Sequence, residues 1–354
     1  MSLNFIEKLK KKKDVVVLAP MADVTDCVFR EMIAKYSNKS GPDIFWTEFV
    51  SADGLNSVGR EHLKIDLKFN KKLERPIIAQ IFSSKKENII NAIKLVYKLG
   101  FDGVDLNMGC PDKTIEKQLS GSALIKHPAI AREIIEASKK VVDDFNNKNK
   151  KRFFSFSVKT RIGYNKIEYE TWFPNILDYE PDIFTVHLRT RKEMSLVEAH
   201  WDLSKEIVDF IKKYCKENNL KTPLIILNGD VKNVEEAREK IKISGCDGIM
   251  IGRGIFGTPW LFDDKEYNKR LEQNLDTKKG KDNITFRLKV LMEHTEKYEK
   301  VLGKHKSFNI MKKHYKAYVN GFDNAKDLRI ELMLRKDAKE VKSICNKFIK
   351  EKLN

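Results

Sequence analysis

The chain has 354 residues, 41% of them hydrophobic, which is enough for one large domain with a packed core and a smaller second one. No run of about 18 apolar residues exists, so no membrane span is expected, and the lysine-rich start from Met1 to Lys13 lacks the apolar stretch of a secretory signal. A formal charge of +17 favours polyanions such as nucleic acids, although a lysine-rich proteome would give a similar total.

The five cysteines are scattered along the chain, and none has CxxC or another metal-site spacing. We therefore predict no metal site. An odd number of cysteines in a chain without an export signal fits the reducing cytoplasm.

Eight short apolar runs recur along the first 260 residues. Most are rich in Val, Ile and Phe and lack a clean alternation, which is typical of strands covered on both faces. The runs are Val15–Leu18, Ile44–Phe49, Ile77–Ile81, Gly103–Leu106, Phe153–Val158, Phe184–His187, Leu224–Leu227 and Gly248–Ile251.

Helix-like segments separate most of these runs, with apolar residues at three- and four-residue steps. They include Asn88–Leu99, Ala129–Phe145, Leu203–Tyr214 and Val234–Ile241. Eight such units predict an α/β fold of the (β/α)₈ TIM-barrel type. The alternative is a doubly wound open sheet, which is disfavoured because no G-x-G-x-x-G follows the first strand.

A polar, charged stretch around Asp263–Lys281 predicts a domain boundary, with a barrel domain over residues 1–264 and a small all-helical domain over residues 265–354. Helices are predicted over Ile284–Val301, Phe308–Val319 and Asp327–Ile349. The second of these carries Lys312-Lys313-His314 beside Tyr315 and Tyr318. Basic residues interleaved with tyrosines suit phosphate contact and base stacking, but an amphipathic helix with a solvated face gives the same pattern.

Residues of the types found in catalytic and binding sites follow the strands of the predicted barrel, at the end where such folds build their active sites. They are Pro20, Met21, Gln80, Asn107, Cys110, Lys159, Arg161, His187, Arg189, Asn228, Gly229, Asp230, Gly252 and Arg253. Cys110 lies on the turn Asn107-Met-Gly-Cys-Pro111, which favours an exposed thiol over a buried one.

The late loops suggest a phosphate site, because Gly229 and the turn Gly252-Arg253-Gly254 let backbone N–H groups approach an anion. Lys159 is a cation at the barrel mouth that suits the negative charge of a reduced flavin. A salt-bridged barrel lysine and a structural His187 are the alternatives.

These motifs together resemble the tRNA-dihydrouridine synthase family along nearly the whole chain. The matching blocks are Leu18–Asp26, Asp105–Pro111, Gly121–Leu124, Val158–Gly163, Val186–Arg191, Leu227–Val231, Gly248–Trp260 and Met311–Tyr315. The chain departs from the family where Asp23 replaces the usual glycine, and in Lys192-Glu-Met-Ser after Arg191.

The resemblance implies an FMN-bearing barrel, a helical tRNA-binding domain and NADPH as reductant. It implies that Lys159, His187 and Gln80 contact FMN, and that Asn228, Gly229, Gly252 and Arg253 hold its phosphate side. We expect Pro20, Met21 and Asp230 in the same cofactor site.

The resemblance also implies that Cys110 acts on uridines of the tRNA D-loop. Hydride from a flavin should add at C6 of uracil, the β carbon of the conjugated carbonyl, and an acid must then protonate C5. A thiol with an unperturbed pKa of about 8.5 suits that role. A thiolate nucleophile is the alternative, although no histidine lies nearby in sequence to activate it.

Substrate contacts are predicted in both domains. Asn107 could read the uracil edge or simply cap its turn, and Arg189 and Arg191 could hold a carbonyl or a phosphate, or be solvated. A stacked uracil must be extruded to reach a barrel mouth, so a grip on flanking RNA is expected from Lys312, Lys313 and His314.

Two other functions fit parts of the sequence. A flavin barrel oxidoreductase acting on a free pyrimidine or another small molecule would need no basic tail. A non-catalytic RNA-binding protein would need no Cys110, Lys159 or His187. We therefore expect a cytoplasmic tRNA-modifying enzyme, and the sequence indicates no protein partner.

Overall fold

The computed structural model describes residues 3–37 and 41–353. The chain packs into two compact units, Met1–Ala22 with Pro42–Gly252, and Asp23–Gly41 with Arg253–Asn354. We call them the barrel unit and the helical unit. None of the described helices is long and apolar enough to cross a bilayer.

The barrel unit contains eight parallel strands, hydrogen-bonded in the order β1-β8-β7-β6-β5-β4-β3-β2. Their bounds are β1 Val15–Leu18, β2 Phe45–Ser51, β3 Ile77–Phe82, β4 Gly103–Met108, β5 Ser155–Arg161, β6 Ile183–His187, β7 Leu224–Asn228 and β8 Gly248–Ile251. Backbone bonds from Asp43 N to Val16 O (2.9 Å) and from Leu18 N to Ile44 O (3.4 Å) bring β1 to the start of β2. All eight predicted strands, and the predicted TIM-barrel class, are confirmed.

The helices divide between the two units. The barrel unit holds α1 Phe5–Lys11, α3 Ala52–Leu55, α4 Arg60–Leu63, α5 Lys86–Leu99, α6 Lys113–Glu116, α7 Pro128–Lys148, α8 Tyr169–Trp172, α9 Pro174–Leu177, α10 Ser204–Glu217 and α11 Val234–Ser244. The helical unit holds α2 Cys27–Tyr36, α12 Asp264–Lys269, α13 Lys278–Leu302, α14 Met311–Tyr318, α15 Ala325–Met333 and α16 Ala338–Phe348.

Apolar side chains fill the barrel interior at its amino-terminal end. Alternate residues of β1, Val15 and Val17, pack there with Trp46, Ile226 and Met250. Helix α1, which the sequence did not predict, adds Ile6 to this cluster, and a capping box between Asn4 and Glu7 starts the helix. Because this end is filled with hydrocarbon, polar residues gather at the carboxyl-terminal end of the strands.

The helical unit includes a helix from the first loop of the chain. Helix α2 begins at its N-cap Asp26, whose carboxylate accepts from the N–H groups of Val28 and Phe29. The buried ring of Phe29 stacks on His294 of α13 at 5.0 Å between centroids. The predicted boundary after residue 264 stays a prediction, because it separates a domain that binds FMN from a domain that binds tRNA.

One helix prediction for the tail is wrong. A single helix was expected over residues 327–349, but the chain breaks between α15 and α16. Asp337 is extended there (φ −146°), and its side chain accepts a hydrogen bond of 2.8 Å from Glu340 N. An aspartate in this position starts a new helix, because its carboxylate satisfies an N–H group that the helix itself leaves unbonded.

Candidate active site

The Cys110 thiol lies on the turn that follows β4, and Asn107 shapes this turn. The Asn107 side-chain oxygen accepts from Gly109 N (3.1 Å) and Cys110 N (2.9 Å). On the other side, Ser122 Oγ donates to Cys110 O at 2.8 Å. Cys110 is partly exposed, and burial raises its thiol pKa, with the Asp112 carboxylate acting in the same direction. The thiol therefore keeps its proton at neutral pH.

Asn107 and Gln80 belong to one hydrogen-bonded network with the buried carboxyl group of Asp105. Gln80 Nε2 donates to Asp105 at 2.6 Å, and Asn107 Nδ2 donates to Gln80 Oε1 at 3.0 Å. Ser157 Oγ donates to the other oxygen of Asp105 at 2.7 Å. Burial raises the pKa of Asp105 to about 6, against the opposing effect of these donors. Of the two roles predicted for Asn107, the structure shows the turn cap.

Lys159 is opposite Asn107 on the neighbouring strand. Its side chain is partly exposed although most of β5 is buried, and among the described residues it forms no hydrogen bond or ion pair. Burial of most of the Lys159 side chain lowers its pKa to about 8, and the charge of Arg161 acts in the same direction. Asp105 and Cys110 act in the opposite direction and raise this pKa. The alternative of a salt-bridged barrel lysine therefore does not hold within the described part of the chain.

Arg161 lies two residues after Lys159, at the end of β5, and joins the loops after β4 and β6. Its Nε donates to Gly109 O at 2.7 Å, beside Cys110, and its Nη1 donates to Thr190 O (3.1 Å) and Met194 O (3.3 Å). Sequence reasoning placed Arg161 after the fifth strand but gave it no role. Its spacing of two from Lys159, which puts both side chains on one face of β5, was the available signal.

Arg189 does not present its guanidinium to solvent. The side chain is buried, forms an ion pair with Asp230 and donates from Nε to Val197 O at 2.8 Å. Its Nη1 lies 3.2 Å from His187 Nε2. Because a guanidinium only donates, Nε2 is the acceptor when this contact is a hydrogen bond. Arg189 and Asp230 form an ion pair with each other, and their predicted roles as a substrate contact and a cofactor contact remain predictions.

Arg191 is likewise held by another side chain. Its guanidinium forms a two-pronged ion pair with Glu116, which follows Cys110 in the β4 loop. The pair raises the pKa of Arg191 and, against burial, lowers that of Glu116. Arg191 thus joins the loops after β4 and β6, a geometry that the prediction of a free substrate-binding arginine did not include.

The ends of β6, β7 and β8 lie side by side next to β1, at the place where the sequence predicts contacts to a cofactor phosphate. The last residues of β6 and β7, His187 and Asn228, are partly exposed while the rest of each strand is buried. Asn228 Nδ2 donates to Met250 O at 2.8 Å, which ties β7 to β8. A Cβ added to Gly252 would make ordinary contacts of 3.7 Å with Ala19 and Met21, so Gly252 lies against the loop that follows β1.

A flavin fits this set of residues. Polar groups converge at strand ends. Within residues 3–37 and 41–353, Lys159 is a cation without an ion pair, and the buried hydroxyl of Thr185, on the strand beside Lys159, has no hydrogen-bond partner. Pro20 and Met21 are also partly exposed here. Among the described residues no cluster of three or more His, Cys, Asp and Glu side chains suits a metal ion.

The helical unit corrects the expected RNA contacts of the tail. His314 is fully buried and packs against Phe29 and His294, at 4.7 and 4.6 Å between ring centroids. Tyr315 and Tyr318 are fully buried as well. The prediction that these three rings contact or stack on RNA is wrong, because hydrophobic packing places them on the inner face of α14.

The remaining basic residues of this prediction lie on the outer side of the helical unit. Lys312 is partly exposed and Lys313 is exposed. Lys313 Nζ lies 3.4 Å from a carboxylate oxygen of Asp23. Arg253, predicted at the cofactor phosphate, is exposed and belongs to this unit. Their predicted contacts with RNA and phosphate remain predictions.

Comparison with known proteins decides the family. The model of the dihydrouridine synthase (Dus) family matches residues 17–354. The chain belongs to this family. A probable tRNA-dihydrouridine synthase of Staphylococcus aureus (strain MRSA252) is 33% identical over 350 residues, which cover 98% of this chain and 96% of that protein.

A second relative, probable tRNA-dihydrouridine synthase 2 of Bacillus subtilis (strain 168), is 33% identical over 356 residues, covering 100% of this chain and 99% of that protein. Histamine dehydrogenase from Rhizobium sp. 4-9 is a distant structural match, with a TM-score of 0.45 and 12% identity over 78% of this chain and 49% of that one. Family membership confirms the predicted class, a flavoprotein oxidoreductase of tRNA modification.

Proposed function

We propose that the chain reduces the C5–C6 double bond of specific uridines in the tRNA D-loop to 5,6-dihydrouridine, with FMN as cofactor and NADPH as reductant. The observation that carries the proposal is the Cys110 turn: a thiol that retains its proton is held at a strand end beside two cations, Lys159 and Arg161. The setting provides an acid and positive charge together, which reduction of a conjugated carbonyl requires.

The strand ends of the barrel would hold FMN. Asn228, Gly229 and Gly252 would hold its phosphate side, where glycine backbone allows close approach. Gln80, Lys159 and His187 would contact its ring, with Pro20 and Met21 beside them. When bound, FMN supplies the hydride that adds at C6 of uracil.

Cys110 would supply the proton that C5 receives. Its thiol is held on the rigid Asn107 turn, and the raised pKa keeps the proton on sulfur until negative charge develops on the base. Lys159 and Arg161 lie close enough to lower the pKa of the thiol, so they would stabilise the thiolate that remains. Solvent then returns a proton to the sulfur before the next turnover.

Lys159 would also face negative charge on the cofactor. Its ammonium has no partner among the described residues, and its pKa of about 8 leaves it mostly charged at neutral pH. A bound anion would raise this pKa, because an opposite charge favours the protonated form. The same cation would bind a negatively charged flavin more tightly than a neutral one.

The RNA would be held by basic surfaces. A charge of +17 attracts tRNA over long distances, and Lys312 and Lys313 would contact its phosphates. The target base must leave its stack to reach Cys110. We expect the enzyme to act in the cytoplasm, where its tRNA substrate is found.

Incubation of the purified, flavin-loaded protein with NADPH and unmodified tRNA tests the proposal. We expect yellow protein, tRNA-dependent oxidation of NADPH and a dihydrouridine peak in nucleoside mass spectrometry. A protein that reduces free uracil or uridine but leaves tRNA unchanged would instead be the small-molecule oxidoreductase. NADH in a parallel reaction tests the choice of reductant, and we expect slower turnover with it.

A further inference from the structure

Exposed aliphatic side chains collect on three adjacent loops at the mouth of the barrel. The loops after β4, β5 and β6 expose Leu119, Ile167, Met194, Leu196 and Val197. The barrel unit has only four other large exposed hydrophobic residues within its described part, namely Leu3, Val58, Leu73 and Ile243. We call the five side chains on these loops the apolar rim. Apolar residues gathered on one exposed edge mark an interaction surface.

The backbone under the apolar rim is fixed. Arg191 N donates to Gly163 O at 2.9 Å and Lys192 N to Tyr164 O at 2.8 Å, which joins the β6 loop to the β5 loop. The Arg191–Glu116 pair joins the β6 loop to the β4 loop. Because polar groups anchor these loops from within, the aliphatic side chains are presented to solvent on a stable support.

Each of the three loops also carries an exposed lysine within two residues of an exposed aliphatic side chain. The pairs are Lys117 with Leu119, Lys166 with Ile167, and Lys192 with Met194. None of the three ammonium groups has an ion-pair partner among the described residues. Alternating apolar and cationic groups match a nucleic acid, which offers base faces and ribose beside phosphate.

We propose that the apolar rim contacts the tRNA nucleotides next to the target uridine and fills the space that the extruded base leaves in the stack. This inference rests on the proposed function. The rim shares the β4 loop with Cys110, so RNA that delivers a base to the thiol must pass over it. Unstacking a base is costly, and inserted aliphatic side chains recover part of that cost. Leu196 is the leading residue, because it is 84% exposed.

The test compares two double variants of the full, flavin-loaded protein. The first, Lys192→Gln with Leu196→Ser, alters the rim. The second, Lys242→Gln with Ile243→Ser, makes the same changes in an exposed lysine–aliphatic pair at the end of α11. That pair precedes β8, so it lies at the opposite end of the barrel. Leu196 is 84% exposed and Ile243 is 68% exposed, so neither variant disturbs the core.

We expect the rim variant to lose about tenfold in kcat/KM for tRNA, which is the effect of withdrawing one large aliphatic contact. Its flavin content and thermal midpoint should stay unchanged, and Leu196→Met alone should keep nearly full activity. The control variant should match the wild type. The salt dependence of tRNA binding should weaken in the rim variant only. The slope of the logarithm of the binding constant against the logarithm of salt concentration should become shallower by about 0.7 to 0.9, the change for one lost phosphate contact.

Four outcomes would overturn the inference. If the wild type and the rim variant form dihydrouridine equally well, the role of the rim is rejected and the proposed function stands. Equal losses in the rim and control variants show a general charge effect. A wild-type dimer that the rim variant converts to monomers assigns the surface to a second copy of the chain. If the wild type forms no dihydrouridine, the proposed role of the rim and the proposed function are both rejected.

Discussion

The barrel mouth and the core of the helical unit both bury ionisable side chains, but they surround them differently. At the mouth, Asp105 accepts hydrogen bonds from Gln80 and Ser157, and the cation of Lys159 lies near enough to lower its pKa. In the helical unit, His314 is enclosed by rings, and neither of its nitrogens has a hydrogen-bond partner in the described part of the chain. Buried polar groups that bond to one another beside partly exposed side chains such as Lys159 indicate chemistry, whereas polar groups sealed among aromatic rings indicate packing.

The comparison makes the loss of Cys110 the largest expected effect. Cys110→Ala removes the proton donor while leaving the Asn107 turn intact, because Asn107 binds backbone N–H groups there. We expect tRNA reduction to fall about a hundredfold or more. Flavin content and tRNA affinity should be unchanged. Single-turnover reoxidation of the reduced protein by tRNA measures this step, and a fully active variant would reject the acid role.

Substitution of Arg189 tests whether stability and flavin binding depend on the ion pair that joins the loops after β6 and β7. Arg189→Met breaks the ion pair with Asp230 and the contact with His187. Breaking a largely buried pair should cost about 2 kcal/mol, less than a fully buried pair because Asp230 is partly exposed. We also expect weaker flavin binding, since His187 loses its orientation.

A double-mutant cycle with Asp230→Asn measures the coupling. The two substitutions together should cost little more than Arg189→Met alone, because the same interaction is lost in both. Strictly additive losses in thermal midpoint would show that the pair is not a unit.

The buried histidines of the helical unit should make stability depend on pH. Burial lowers the pKa of His314 to about 3 and that of His294 well below its usual value, with Lys313 and Lys297 acting in the same direction. In the unfolded chain both imidazoles take up protons below about pH 6.5. Stability is therefore present above that pH and lost on acidification, by about 2 kcal/mol for His314 between pH 7 and pH 5. His294 acts in the same direction.

The measurement is the thermal midpoint at both pH values. His314→Phe should show a smaller loss on acidification than the wild type. His305→Phe, in an exposed position, is the matched control and should behave like the wild type. Equal acid sensitivity in the wild type and His314→Phe would show that this imidazole does not set the dependence.

The smallest effect is the titration of Lys159. In flavin-free protein, isotope-labelled methyl groups on its amine should titrate near pH 8. Its charge is present below that pH and lost as the pH rises through it. The missing signal in Lys159→Arg assigns the resonance. A midpoint near the ordinary value of about 10.4 would show that burial does not act on this group.

The sequence was sufficient for the barrel, because each strand is a continuous apolar run and a barrel places its polar residues after such runs. For the same reason it identified Lys159, His187 and Asn228 as residues of the mouth. It failed where a partner is distant along the chain. Arg189 meets Asp230 at a separation of 41 residues and Arg191 meets Glu116 at 75, and no local pattern encodes such pairs.

The tail shows the same limit in another form. The basic and aromatic residues of α14 alternate in sequence, but the helix turns Tyr315 and Tyr318 inward. Their inner face packs in a unit that also contains α2, a helix from the start of the chain. A local pattern gives the two faces of a helix, and only the packing shows which rings remain available to a ligand.

The most direct test of the account is nucleoside analysis of tRNA from a bacterial strain that lacks dihydrouridine and expresses this chain. We predict that the wild-type chain restores dihydrouridine in the D-loop and that Cys110→Ala, expressed at the same level with flavin bound, does not. Position mapping of the product would identify the target uridine. A flavin-loaded wild-type chain that leaves the tRNA without dihydrouridine would contradict the account.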